Sequence, residues 1–149
     1  MKLRIMLLIL LLVGCGNVLS ADAQKQPPDK IKATRFTEGT FVGFEVGDYM
    51  HAVIENARGK RESYFLSPSA SGIEYFLALN KGRKVKITYQ VVDSYIPEAG
   101  GVETIERISA ASVGNQTYSA WWRKARKTMT LPQLEKKYRP LVDKVTLTQ

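Results

Sequence analysis

Arg61 to Val92, RESYFLSPSASGIEYFLALNKGRKVKITYQVV, changes its hydrophobic period twice, and its reading decides how the chain folds. Arg61 to Leu66 sets Tyr64 and Leu66 on one face and Ser63 and Phe65 on the other, the alternation of a short strand. Pro68, which has no amide to give a ladder, ends it. Ser71, Gly72, Ile73 and Glu74 spell a capping box, in which the hydroxyl accepts from a first-turn amide and the glutamate reaches back, so a helix is expected to begin at Gly72. Ile73, Phe76 and Leu77 form one apolar stripe on that helix. Asn80, Lys81 and Gly82 tolerate the left-handed conformation that stops it. From Lys84 the period returns to two, with Val85, Ile87, Tyr89 and Val91 facing one way and Lys84, Lys86, Thr88 and Gln90 the other. The stretch reads strand, helix, strand, with the helix plugging one end of a curled sheet.

Upstream, Thr34 to Glu45 is rich in Phe, Thr and Val, and Gly39 and Gly43 suit the sharp coiling of a strand that serves two halves of a small barrel. Val46, Gly47 and Asp48 make a turn. Tyr49 to Asn56 then alternates, with Met50, Ala52 and Ile54 opposite Tyr49, His51, Val53 and Glu55, and Ala57 to Lys60 is a hairpin turn around Gly59. Downstream, Asp93 to Gly101, DSYIPEAGG, is expected to be an exposed loop, too long and too rich in Pro and Gly for a tight hairpin. Val102 to Val113 closes the sheet through Ile105, Ile108, Ala110 and Val113, with a bulge where strict alternation fails. The order β-β-β-α-β-β is that of a mainly β fold, a five-stranded OB-like Greek-key barrel, here carrying a C-terminal helical extension.

The 149 residues suit one domain with appendages, and 24% charged with 44% apolar residues is ordinary for a globular chain. The net charge of +8 is unevenly spread. Residues 34–114 carry nine basic and ten acidic side chains, whereas residues 115–149 carry eight basic and two acidic ones. A neutral barrel disfavours a phosphate track along the sheet, so nucleic acid is the least expected partner.

Lys2 and Arg4 followed by the apolar run Ile5 to Val13 make a signal peptide over residues 1–14, too short to span a bilayer as a helix of about 20 residues. Leu12, Val13, Gly14 and Cys15 resemble the bacterial lipobox, which implies lipidation of Cys15 and delivery to the periplasmic side of the outer membrane. Ala21, Asp22 and Ala23 offer the alternative, an ordinary cleavage site that releases a soluble protein from Gln24. Residues 15–33, with Pro27 and Pro28 and no large apolar cluster, read as a flexible tether. A single Cys allows no internal disulfide, so the packed core must supply stability alone.

Residues 115–149 read as a basic helical extension. Ser119 is placed to cap a helix from Ala120 to Lys127 that carries Trp121, Trp122, Arg123, Lys124, Arg126 and Lys127, with one Trp docked on the barrel and the other near the surface. Thr130 and Gln133 form a second capping box. Leu134, Tyr138, Leu141, Val142 and Val145 make the apolar stripe of the next helix, which Pro140 should kink or interrupt. The six Trp, Arg and Lys positions are the candidate contact with a protein partner or an anionic membrane surface.

With its first two strands and the turn between them, GRKVKITY and the YIPEAGG loop, the stretch from 34 to 114 resembles small secreted bacterial OB-fold proteins. Such folds bind ligands on strands two and three and the flanking loops. That resemblance implies a ligand face of Tyr49, His51, Ser63 and Phe65, rimmed by Tyr95, Ile96 and Glu98. Catalysis is not expected: one His and one leader Cys leave no metal site and no nucleophile motif, and no cofactor is implied. Gly47 and Asp48 also resemble the Gly-Asp of secreted micrococcal-type nucleases. The next strand of that family should bring Arg and an Asp, Pro, Glu run, where this chain has Tyr64, Phe65, Leu66, Ser67 and Pro68. The reading is therefore a non-enzymatic envelope lipoprotein that binds a protein or anionic partner. A soluble periplasmic structural protein and a nuclease-like hydrolase are the alternatives.

Overall fold

A computed structural model describes residues 26–67 and 72–147. The signal peptide, Cys15, the Ala21 to Ala23 site, the tether up to residue 25, Pro68 and the Ser71 cap lie outside the described residues. Strands β1 (Lys30–Val46), β2 (Met50–Glu55) and β3 (Arg61–Phe65) precede helix α1 (Ile73–Ala78). Strands β4 (Lys84–Ile96), β5 (Gly101–Val113) and β6 (Gln116–Thr117) follow it, then helices α2 (Tyr118–Thr128) and α3 (Leu131–Val145). The six strands form one sheet in the order β3-β2-β1-β4-β5-β6, with antiparallel neighbours and a further parallel pair, Phe65 with Arg107, between β3 and β5. The fold is mainly β with C-terminal helices. The two-residue β6, which pairs Thr117 with Ser112 and Gln116 with Val113, adds a strand to the five expected.

The long first strand is shared between two partners: Thr40 to Val46 pairs with β2, and Lys30 to Thr40 pairs with β4. It starts at Lys30 rather than Thr34 because polar anchors hold its first residues. Arg107 pairs with Asp29 at 2.6 Å, Ser94 donates to Asp29 at 2.6 Å, and Lys32 meets Asp93 at 2.7 Å. At the other end of β1, Gly43 leaves no room for a side chain, since a Cβ would collide with the Val145 carbonyl. There the Leu147 amide donates to the Phe44 carbonyl at 2.7 Å, and Thr146 bridges Phe44.

Alternation places the core largely as expected. Ala52, Ile54, Tyr64, Leu66, Val85 and Ile87 are buried with Phe41 and Phe44 of β1. The expected bulge in β5 falls at Ser109, where the register against β4 slips between Thr88 and Tyr89. Beyond it the clean alternation of β4 fails, for Val91 is half-buried while Val92 is buried.

Several expectations are corrected. Asp93 to Ile96 are strand, not loop, because Asp93 accepts from Thr104 at 2.6 Å and Ser94 is tied to Asp29, so polar side chains find partners along the ladder. The connection shrinks to a 3-10 turn, Pro97–Ala99, closed by Gly100 at φ 72°. Helix α1 begins at Ile73, with Gly72 as its cap residue at φ 71°. Its end is fixed by buried Asn80, whose amide donates to the Phe76 carbonyl at 2.7 Å and accepts from Arg83 at 2.8 Å. The α2 cap is Thr117, whose hydroxyl accepts from the Ala120 amide at 3.2 Å, and Ser119 lies inside the helix.

The Thr130 box forms, with Gln133 accepting from the Thr130 amide at 2.8 Å. Helix α3 runs on through exposed Pro140 without interruption, since the bond lost there would fall on the solvent side, where water serves the carbonyl. Its stripe of Leu134, Tyr138, Val142 and Val145 is buried. Fully burying side chains such as Leu134 and Val142 contributes about 1.5–3 kcal/mol each. Both Trp residues dock, contrary to the expectation of one. Trp121 packs 5.8 Å from Phe76 and 5.6 Å from Tyr138, and Trp122 lies over Gly72, where a Cβ would strike its ring. Among the described residues no helix is long and apolar enough to cross a membrane.

Candidate functional site: two hollows beside Tyr49

Tyr49 is the last residue of the turn before β2, after the exposed Gly47 and Asp48, and the 3-10 turn between β4 and β5 comes up beside it. Its hydroxyl donates to the Glu98 carboxylate in a short hydrogen bond. The Tyr49 ring lies 4.9 Å from Phe65, and His51, paired with Phe65 across the strands, meets that ring edge-on at 4.6 Å. Asp48, Tyr49, Phe65, Ile96, Glu98 and Glu103 line one shallow depression of about 390 Å³. Its charged lining is carboxylate only, which repels phosphate and favours a cationic or amphipathic surface. The bond from Tyr49 holds Glu98 below the ordinary carboxylate range, and the Glu98 charge in turn raises the tyrosine.

The ligand face read from sequence is therefore assembled in part. Tyr49, Phe65, Ile96 and Glu98 share the depression, and His51 borders it through Phe65. Ser63 is occupied elsewhere, donating to Glu45 at 2.8 Å. Tyr95, half-buried one residue before Ile96, pairs with Val102 and does not line the hollow, because neighbours along a strand point to opposite faces.

A second hollow of about 260 Å³ shares Asp48 and Tyr49 with the first. Met50 and Leu66 supply its apolar part, and Ser67, Glu74 and Arg139 its polar walls. Glu74 sits in the first turn of α1, where burial pushes its carboxyl above the usual range, and a hydrogen bond from its own backbone and then the Arg139 charge only partly offset that. Arg139 comes from α3, with its guanidinium 5.8 Å from the centre of the Tyr75 ring and 3.5 Å from Glu135. This cleft escaped sequence reasoning. Glu74 carries the signature of a capping residue and Arg139 that of a solvated helix face, and only the docking of α3 on α1 brings them together. Tyr75 stacking on Tyr138 at 5.8 Å is the contact that does so.

Arg123, Lys124, Arg126 and Lys127 are exposed along α2, and none forms an ion pair among the described residues. Arg126 stands 6.0 Å over the Trp122 ring. Trp121 and Trp122 themselves are half-buried against the core, so the surface α2 offers is cationic more than aromatic. Among the described residues no group of three His, Cys, Asp or Glu side chains is arranged to hold a metal. Comparison of the chain with protein-family models, with curated proteins and with solved structures gives no match, so functional inference rests on this geometry.

Proposed function

We propose that the chain is a non-enzymatic binding module of the cell envelope, built on an OB-type barrel and held to the membrane through lipidated Cys15. The parallel Phe65–Arg107 pair supports closure, because it joins the β3 end of the sheet to β5. The position of α1 between β3 and β4 supports the OB topology. One observation carries the binding reading: Tyr49, Phe65, Ile96 and Glu98, from three separate segments, converge on a single depression, with Tyr49 oriented by Glu98. Aromatic rings beside fixed carboxylates suit a protein partner that brings a basic or amphipathic segment.

A photo-crosslinking residue at position 103, on the rim, tests this in intact envelopes. A discrete protein adduct is expected, and Tyr49→Ala with Phe65→Ala should abolish it. Unchanged adducts in that double variant would remove the depression as the interface. A structural protein with no ligand would give no adduct at all. The intact mass of the mature chain separates an acylated Cys15 from a soluble chain that begins at Gln24.

The unpaired cations of α2 favour a second contact, with an anionic envelope surface. Binding to vesicles containing anionic lipid should fall when Arg123, Lys124, Arg126 and Lys127 are reversed to Glu, and should weaken with salt. Equal binding to neutral vesicles would exclude it.

A further inference from the structure

The cleft walled by Glu74 and Arg139 is lined by charges of both signs that are not joined to each other. Arg139 makes its ion pair along its own helix, with Glu135 at 3.5 Å, and its guanidinium stays over Tyr75. Glu74 has no ion pair among the described residues. Between them lie the apolar side chains of Met50 and Leu66, and exposed Asp48 adds a second carboxylate at the mouth. We infer that this cleft binds a small zwitterion of amino-acid or dipeptide size, its ammonium group against Glu74 and its carboxylate against Arg139.

Size sets the upper limit. A hollow of about 260 Å³ falls just under the range of about 300–1,000 Å³ that holds most drug-sized ligands. Charge sets the class. A ligand with an ammonium alone would leave the guanidinium with only its long pair to exposed Glu135, and one with a carboxylate alone would bring a third negative group beside Glu74 and Asp48. A zwitterion answers both walls, and its side chain can cover Met50 and Leu66. The desolvated Glu74 carboxyl supports this, because a nearby ammonium favours its ionised form.

The proposal goes beyond the protein-partner reading, and its readout needs no partner. The purified protein is titrated calorimetrically with leucine, alanyl-leucine, N-acetyl-alanyl-leucine and alanyl-leucine amide. A free zwitterion should bind, and blocking either terminus should weaken binding by about tenfold or more, the loss of one charge-assisted hydrogen bond. In Arg139→Gln the amide should lose its disadvantage while the acetyl form keeps it, and Glu74→Gln should do the reverse, with circular dichroism melts to confirm folding. The ligand variants test the idea even if a protein variant fails to fold. No binding by either zwitterion at millimolar concentration, or blocked forms that bind as well as the free dipeptide, would overturn it.

Discussion

Glu98 and Glu74 line two hollows that share Asp48 and Tyr49, one the depression and one the cleft, and their surroundings push their acidities in opposite directions. Glu98 is exposed and accepts a hydrogen bond, so its charged form is favoured. Glu74 is half-buried beside apolar side chains, so its charged form is penalised. In the depression, Glu98 is already bonded to Tyr49, while Asp48 and Glu103 leave it acidic. In the cleft, Glu74 has no ion pair among the described residues. The two also differ in what builds them. Strands and their turns supply the whole depression, whereas the cleft adds Glu74 of α1 and Arg139 of α3 to residues of that kind and needs the docking of α3.

That difference makes the cleft the fragile half. Leu134→Ala, at a fully buried position of α3, should cost about 3–4 kcal/mol by leaving a cavity under the helix. The urea midpoint should fall accordingly, while amide exchange in β2, laddered on both sides, stays slow. If β2 and the helix loosen together, the two hollows are one cooperative unit. Gly72→Ala comes next, at about 2–3 kcal/mol, because the position is left-handed at φ 71° and its Cβ would meet the Trp122 ring. A loss of only about 1 kcal/mol, the left-handed strain alone, would mean that Trp122 moves aside at little cost.

The pH responses sharpen the contrast with smaller effects. The folded-state value of Glu74 is raised above the ordinary 4.5, so its ionisation opposes folding, and that penalty fades as pH falls toward 4.5. Glu74→Gln should therefore raise the urea midpoint at neutral pH and leave it unchanged below 4.5. A lower midpoint at neutral pH would show that Glu74 is already paired. The folded-state value of Glu98 is depressed, so its contribution is present above 4.5 and lost as pH falls through the folded value. Glu98→Gln should lower the midpoint slightly at neutral pH, with the difference gone in acid. As an exposed group it should give the smallest change of the four.

Much of the sheet was legible because alternation sorts residues between two faces: Ala52 and Ile54 share one face of β2 and Tyr64 and Leu66 one face of the β3 segment, and all four are buried, although Val53 of the opposite face is buried too. What failed depended on partners distant in sequence. Asp93 and Ser94 look like loop residues until Lys32, Thr104 and Asp29 are set beside them. The absent side chain of Gly72 makes room for Trp122, and nothing local to either residue announces it. The α1 stripe was read as Ile73, Phe76 and Leu77, yet Tyr75 and Ala78 are buried too, because α3 covers the face that a lone amphipathic helix would show to water. Half of the ligand face came together for the same kind of reason. His51 and Phe65 follow from strand pairing and Tyr49 from the turn just before it, whereas Tyr95 and Ser63 were set apart by strand direction and by Glu45.

The clasp of Leu147 onto Phe44 has a consequence for how the molecule is made. Phe41 and Phe44 leave the ribosome early, but the segment that seats beside Gly43 is synthesised last among the described residues. At about 5–20 residues per second, the interval between them is on the order of ten seconds. Over that interval the nascent chain would display an unfinished apolar ribbon, so a holding chaperone has its greatest opportunity before residue 147 emerges.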